Sequence, residues 1–89
     1  MAGDDVRINA LLGQRTTYLR DPRRLADVGY AERVVRELSC DDLAAMAGVD
    51  VDVVRRMERA LPLRAPGDVR RVLRSIGIEP RALPDMAIT

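Results

Sequence analysis

Histidine is absent from this 89-residue chain, cysteine occurs once, at Cys40, and phenylalanine, tryptophan and lysine do not occur. Each gap removes a class of function. With no histidine and a single thiol, a zinc site cannot be assembled from the usual ligands. Ser-His, Cys-His and histidine acid–base chemistry is excluded for the same reason. One cysteine leaves no internal disulfide and fits a reducing compartment. The aromatic side chains are Tyr18 and Tyr30 alone, too few for the stacking platforms that hold RNA or single strands. No apolar run approaches a bilayer crossing, and the N-terminus, MAGDDVR, is acidic where a signal peptide is cationic. The expectation is a cytoplasmic protein with no membrane partner. No Gly-rich phosphate cradle occurs, and neighbours on a helix, such as Asp4-Asp5 or Asp41-Asp42, do not converge on one substrate. The sequence therefore predicts no enzyme, no catalytic residue, no metal site and no cofactor.

What remains is a folding composition, 47% apolar and 33% charged, which excludes a disordered or collagenous chain. All fifteen basic residues are Arg, and the net charge is only +1. Arginine presents a planar fork that fits phosphates and guanine edges. The overall balance gives only a weak electrostatic footprint for nucleic acid.

Along the chain, Ile8, Leu11, Leu12 and Leu19 share helical spacing, which predicts an amphipathic helix near residues 5–20. Asp21-Pro22 reads as an N-cap followed by Pro at the first helical position. The next segment places Leu25, Val28, Ala31, Val34, Val35 and Leu38 on one face, with Gly29 as a point where the helix can break. Ser39 caps a helix with Asp41 and Asp42 in its first turn, and Gly48 ends it in a left-handed conformation. Asp50 caps a helix over 51–60 with Val54 and Met57 inward. After a loop at Pro62 and Ala65-Pro66-Gly67, Asp68 starts a helix with Val69, Val72, Leu73 and Ile76 inward, closed by Gly77. Pro80 and Pro84 predict an irregular tail. Tyr18 and Tyr30 are expected to pack in the core or between helices. No segment alternates with period two, so the fold class expected is all-α, with five or six short helices. The domain division is 1–21 as an N-terminal helical extension, 22–80 as the main domain and 81–89 as a tail.

The informative stretch runs from Leu38 to Arg59. It describes two short helices joined at Gly48, with Ala44 and Ala47 small enough for a close crossing and Val49 filling the gap. Val54 and Met57 anchor the second helix and leave 51, 52, 55, 56 and 59 outward, which is helix-turn-helix geometry. Arg55 and Arg56 have the donors for guanine O6 and N7, Asp52 has an acceptor for cytosine N4, and Val51 suits a thymine methyl. A bland alternative pairs Asp52 with the two arginines along a solvated face.

This stretch, LSCDDLAAMAGVDVDVVRRMERA, resembles the Cro/lambda-repressor-type (XRE-type) helix-turn-helix family. Its members often read L-S-Q-E-E-L-A-x-x-A-G-V-S-x-x-x-I-S-x-I-E-x-G and close with a further helix, matched here by RRVLRSIGI. The resemblance covers about residues 25–80 and implies a lambda-repressor-like bundle of about five helices, with an extra helix before it. It also implies double-stranded DNA as partner, helix 51–60 as the groove reader, and a homodimer over two half-sites. Cys40 stands where the family often has a phosphate-supporting Gln, and Arg59 and Arg64 lie where it contacts phosphates. Asp50 replaces the family's Ser or Thr, and Ala60 its Gly. The DNA-binding residues expected are thus Cys40, Val51, Asp52, Arg55, Arg56, Arg59 and Arg64. The function expected is that of a small Cro-like repressor or antitoxin; the alternative is the same fold used as a protein–protein interaction module.

Overall fold

The computed structural model of the chain describes residues 15–84. In chain order they form strand β1 (Arg15–Tyr18), helices α1 (Pro22–Val35), α2 (Cys40–Ala47), α3 (Val51–Glu58) and α4 (Pro66–Ser75), and strand β2 (Ile78–Ala82). The helix starts follow local chemistry. Asp21 accepts from the Arg23 N–H at 2.9 Å, with Pro22 next in line. Ser39 and Asp42 exchange bonds of 3.0 and 3.1 Å in a capping box. The Ser39 backbone N–H, with a smaller contribution from its hydroxyl, holds the Asp42 carboxyl below the usual carboxylate range. Asp50 accepts from the Asp52 N–H at 2.8 Å and starts α3. α4 begins two residues earlier than Asp68 predicts, at Pro66, because the proline's missing N–H is no loss in a first turn.

All four helices end on a left-handed residue, and only two of these are glycines: Glu37 (φ 57°), Gly48 (70°), Ala60 (56°) and Gly77 (81°). At Ala60 the reversed chain makes the paired closing bonds of a helix stop, Ala60 N–H to Met57 O at 3.2 Å and Leu61 N–H to Arg56 O at 3.0 Å.

The core is built from Leu19, Leu25, Leu43, Val54, Met57, Leu63, Val69, Val72, Leu73, Ile76 and Ile78, all at most 3% exposed. Leu19 is buried as expected, whereas Ile8, Leu11 and Leu12 lie outside the described residues. The buried side of α1 matches the expected one in part, with Leu25 buried and Val28 and Leu38 packed against the core. Leu25, Ala26 and Gly29 are inside, while Ala31, Val34 and Val35 are exposed. Gly29 does not break the helix but marks its closest approach to α3: a Cβ there would come 2.5 Å from Met57 Cε. Centring the contact on Gly29 rotates the aliphatic residues 31, 34 and 35 out to solvent. The tyrosines are also outside, Tyr30 under the Arg33 guanidinium (5.3 Å to the ring centroid) and Tyr18 under Arg81 (5.7 Å).

The expectation of an all-α bundle of about five helices needs correction. Among the described residues there are four helices and a two-stranded parallel sheet, in a mostly helical domain. Residues 15–18, expected to continue a helix, form β1, and 78–82, expected to be irregular, form β2, in the register Arg15↔Ile78 to Tyr18↔Ala82. Thr16, Thr17 and Tyr18 favour extended backbone, and Pro80 is tolerated because each strand of a two-stranded ribbon is an edge. The ribbon joins the described part of the 1–21 extension to the end of the main domain.

Candidate nucleic-acid interface

The segment that carries the candidate site is α2, the turn 48–50 and α3. Leu43 and Ala44 bury one side of α2, and Val54 and Met57 bury one side of α3. Gly48 turns the chain at φ 70°, where the Val49 N–H reaches Ala44 O at 3.0 Å. The C-terminal end of α3 is fixed by a second device. Arg33 of α1 grips Glu58 with a fork of 2.6 and 2.9 Å and donates a third bond, 2.8 Å, to the Leu38 carbonyl. The two side chains are only 14% and 10% exposed. Hydrogen bonding to Glu58 raises the Arg33 pKa above its already high value, against the opposing effect of burial. A fork of this kind fixes orientation as well as distance, so α3 is held at both ends.

The seven expected DNA-binding residues fall into three groups. Asp52, Arg55, Arg59 and Arg64 are exposed, the first three along α3 and its cap and Arg64 in the loop before α4. The side chains of Arg55, Arg59 and Arg64 make no hydrogen bond or ion pair with any described residue, and the pairing of Asp52 with Arg55 or Arg56 does not form. Cys40 and Val51 are half-buried and pack against the core. Arg56 has a task inside the molecule: its Nε and Nη2 donate to the Pro62 carbonyl at 3.2 and 2.8 Å. That bond ties α3 to the loop carrying Arg64.

Between α3 and this loop lies an open cleft of about 270 Å³, with Val53, Leu63 and Val69 on its apolar side and Asp50, Asp52 and Arg64 among its polar residues. Among the described residues, no three His, Cys, Asp or Glu side chains come together as metal ligands, and no helix is long and apolar enough to cross a membrane. What the arrangement offers chemically is a set of free guanidinium donors and one free carboxylate on a rigid helix and its adjoining loop.

Sequence reasoning missed the Arg33–Glu58 fork and the Arg56–Pro62 bond. The fork had a signal, since Glu58 directly follows the buried Met57 at the end of an anchored helix. The bond to Pro62 had none, because a loop carbonyl carries no side-chain signature. No family model matches the chain, nor does any curated protein or solved structure.

Proposed function

We propose that this chain is a sequence-specific double-stranded-DNA-binding transcriptional regulator of the small Cro-like repressor or antitoxin type. In this reading α2 and α3 work as a helix-turn-helix and α3 enters the major groove. The observation that carries it is the set of unpaired, exposed guanidinium groups of Arg55, Arg59 and Arg64 on and beside a helix fixed at both ends. Free donors on a rigid element are what base edges and phosphates require. The family resemblance of residues 38–60 supports the same reading. One short helix reads few base pairs, so the functional unit is a homodimer over two half-sites.

The roles divide by position. Arg55 faces base edges, Arg59 and Arg64 face phosphates, and Arg56 braces the loop. Cys40 and Val51 contribute at the margin of the contact through their exposed portions. Selection from random duplex DNA at physiological salt, followed by sequencing of the bound fraction, tests the reading. Enrichment of one motif supports it; binding no tighter than to random duplex refutes it. Replacing Arg59 or Arg64 by Ala is expected to weaken all duplexes alike and flatten the salt dependence by about one unit of slope.

A second reading, a protein-interaction module with the same fold, draws on a different observation. Tyr30, Val34 and Val35 form an exposed apolar strip on α1, the kind of surface that marks contact with another protein. Loss of an interaction partner on Val34→Asp or Val35→Asp, with no effect on any duplex, favours that module.

A further inference from the structure

Resting on the DNA reading, we infer that Asp52 and Arg55 form a specificity pair that selects two successive G·C base pairs, with cytosine presented to Asp52 and guanine to Arg55. Three observations converge on these two side chains. Asp52 is the second residue of α3, and the residues at the start of a recognition helix are those that reach base edges. Its backbone N–H is already satisfied by Asp50, and its carboxylate makes no ion pair among the described residues. Arg55 lies three residues on, on the same face, exposed and unpaired. Arg56, the other candidate reader, is withdrawn by its two bonds to the Pro62 carbonyl.

The bases follow from the groove chemistry. An ionised carboxylate accepts hydrogen bonds and donates none. In the major groove guanine offers two acceptors and thymine one beside a methyl group, so both repel it. Adenine offers a donor beside the N7 acceptor, and cytosine offers the N4 donor without an N7. Cytosine is therefore the edge that satisfies Asp52. The guanidinium of Arg55 has the converse need, two acceptors at fork spacing, which guanine O6 and N7 supply. Along α3, three residues rise about 4.5 Å, close to the base-pair step of about 3.4 Å, so the two side chains address neighbouring pairs. Much of the selectivity is exclusion: guanine or thymine under Asp52 leaves a desolvated carboxylate unsatisfied, and adenine sets its N7 acceptor against the second oxygen.

The test is selection from random duplex DNA with the full chain, run in parallel on wild type, Asp52→Asn and Arg55→Ala, with thermal melts confirming that each is folded. Wild type is expected to enrich a motif with adjacent C and G columns. Asp52→Asn should move the C column to A, because an amide pairs bidentately with adenine N6 and N7, while the G column stays. Arg55→Ala should erase the G column alone. In direct titration, changing the cytosine under Asp52 should weaken wild type by about 5- to 150-fold, the range of one base contact. A motif unchanged by both substitutions overturns the pair while DNA binding stands. So does an Asp52→Asn variant that binds every duplex more tightly with no column altered. A wild type that enriches no motif overturns the DNA reading and the pair with it.

Discussion

Replacing Ala60 by Gly should stabilise this protein, although the change deletes a half-buried methyl. Ala60 holds φ at 56° to let α3 stop, and a left-handed backbone costs an L-residue about 1–2 kcal/mol. Glycine removes that strain. Against it stand about 0.5–1 kcal/mol for the more flexible unfolded chain and about 0.4 kcal/mol for half of a buried methyl. At the midpoints the balance is a gain of about 0.3 kcal/mol, or roughly 1–3 °C in Tm for a domain of this size. The control is the same substitution at Ala31, exposed within α1, where the helix geometry is ordinary and glycine should cost about 1 kcal/mol. Urea titrations of the two variants and wild type, with equal m-values, give the comparison. Opposite signs are expected. If Ala60→Gly loses as much stability as Ala31→Gly, position 60 carries no strain and the account of how α3 ends is wrong.

Three further outcomes are expected. Glu58→Ala should cost about 1–3 kcal/mol in urea unfolding, because it leaves the half-buried Arg33 guanidinium with only its bond to the Leu38 carbonyl; a loss below about 0.5 kcal/mol would show the fork to be dispensable. Gly29→Ala should change stability by less than about 1 kcal/mol, because the new methyl meets only the terminal Cε of Met57, a flexible end that can move, and the remaining overpacking penalty is offset by the gain in helix propensity. Shortening Met57 to Val should cancel the penalty in a double-mutant cycle. The Asp42 carboxyl, held below its usual range by Ser39, binds its proton less readily folded than unfolded. Its contribution is therefore complete at neutral pH and disappears as pH falls through the lowered value. Wild type and Asp42→Asn should differ in Tm at pH 7 and converge in strong acid; a gap that persists there contradicts the capping box as its source.

The helices were legible in the sequence because their signals are local. Asp21-Pro22, Ser39 with Asp42, and Asp50 each act on a backbone N–H two or three residues away, and Gly48 and Gly77 mark stops that only the backbone conformation requires. Two stops carry no glycine: nothing in Glu37 announces a positive φ, and at Ala60 the sign was the glycine that the resembled family has there. The strands were hidden for a different reason. Arg15 meets Ile78 across almost the whole domain, and a period of two cannot declare itself in four or five residues, although β2 does bury Ile78 and Pro80 on one side. At the candidate site, the sequence indicated which residues occupy α3 but not which ones the rest of the molecule would claim. Arg56 looks equivalent to Arg55 until Pro62 presents its carbonyl. Val34 and Val35 look like core until Gly29 sets the roll of α1.

The parallel ribbon has a mechanical consequence. β1 and β2 run the same way, so tension applied through Arg15 and Ala82 grips the two strands at opposite ends and drags them past one another along their length. The ladder is then loaded in shear, with its hydrogen bonds, and the flanking bond from Leu19 N–H to Ala82 O at 3.0 Å, sharing the force together. A hairpin pulled open at its ends would instead lose them one after another. Pulled this way, the domain should hold its extension until the clasp fails in a single event, and only then release its four helices.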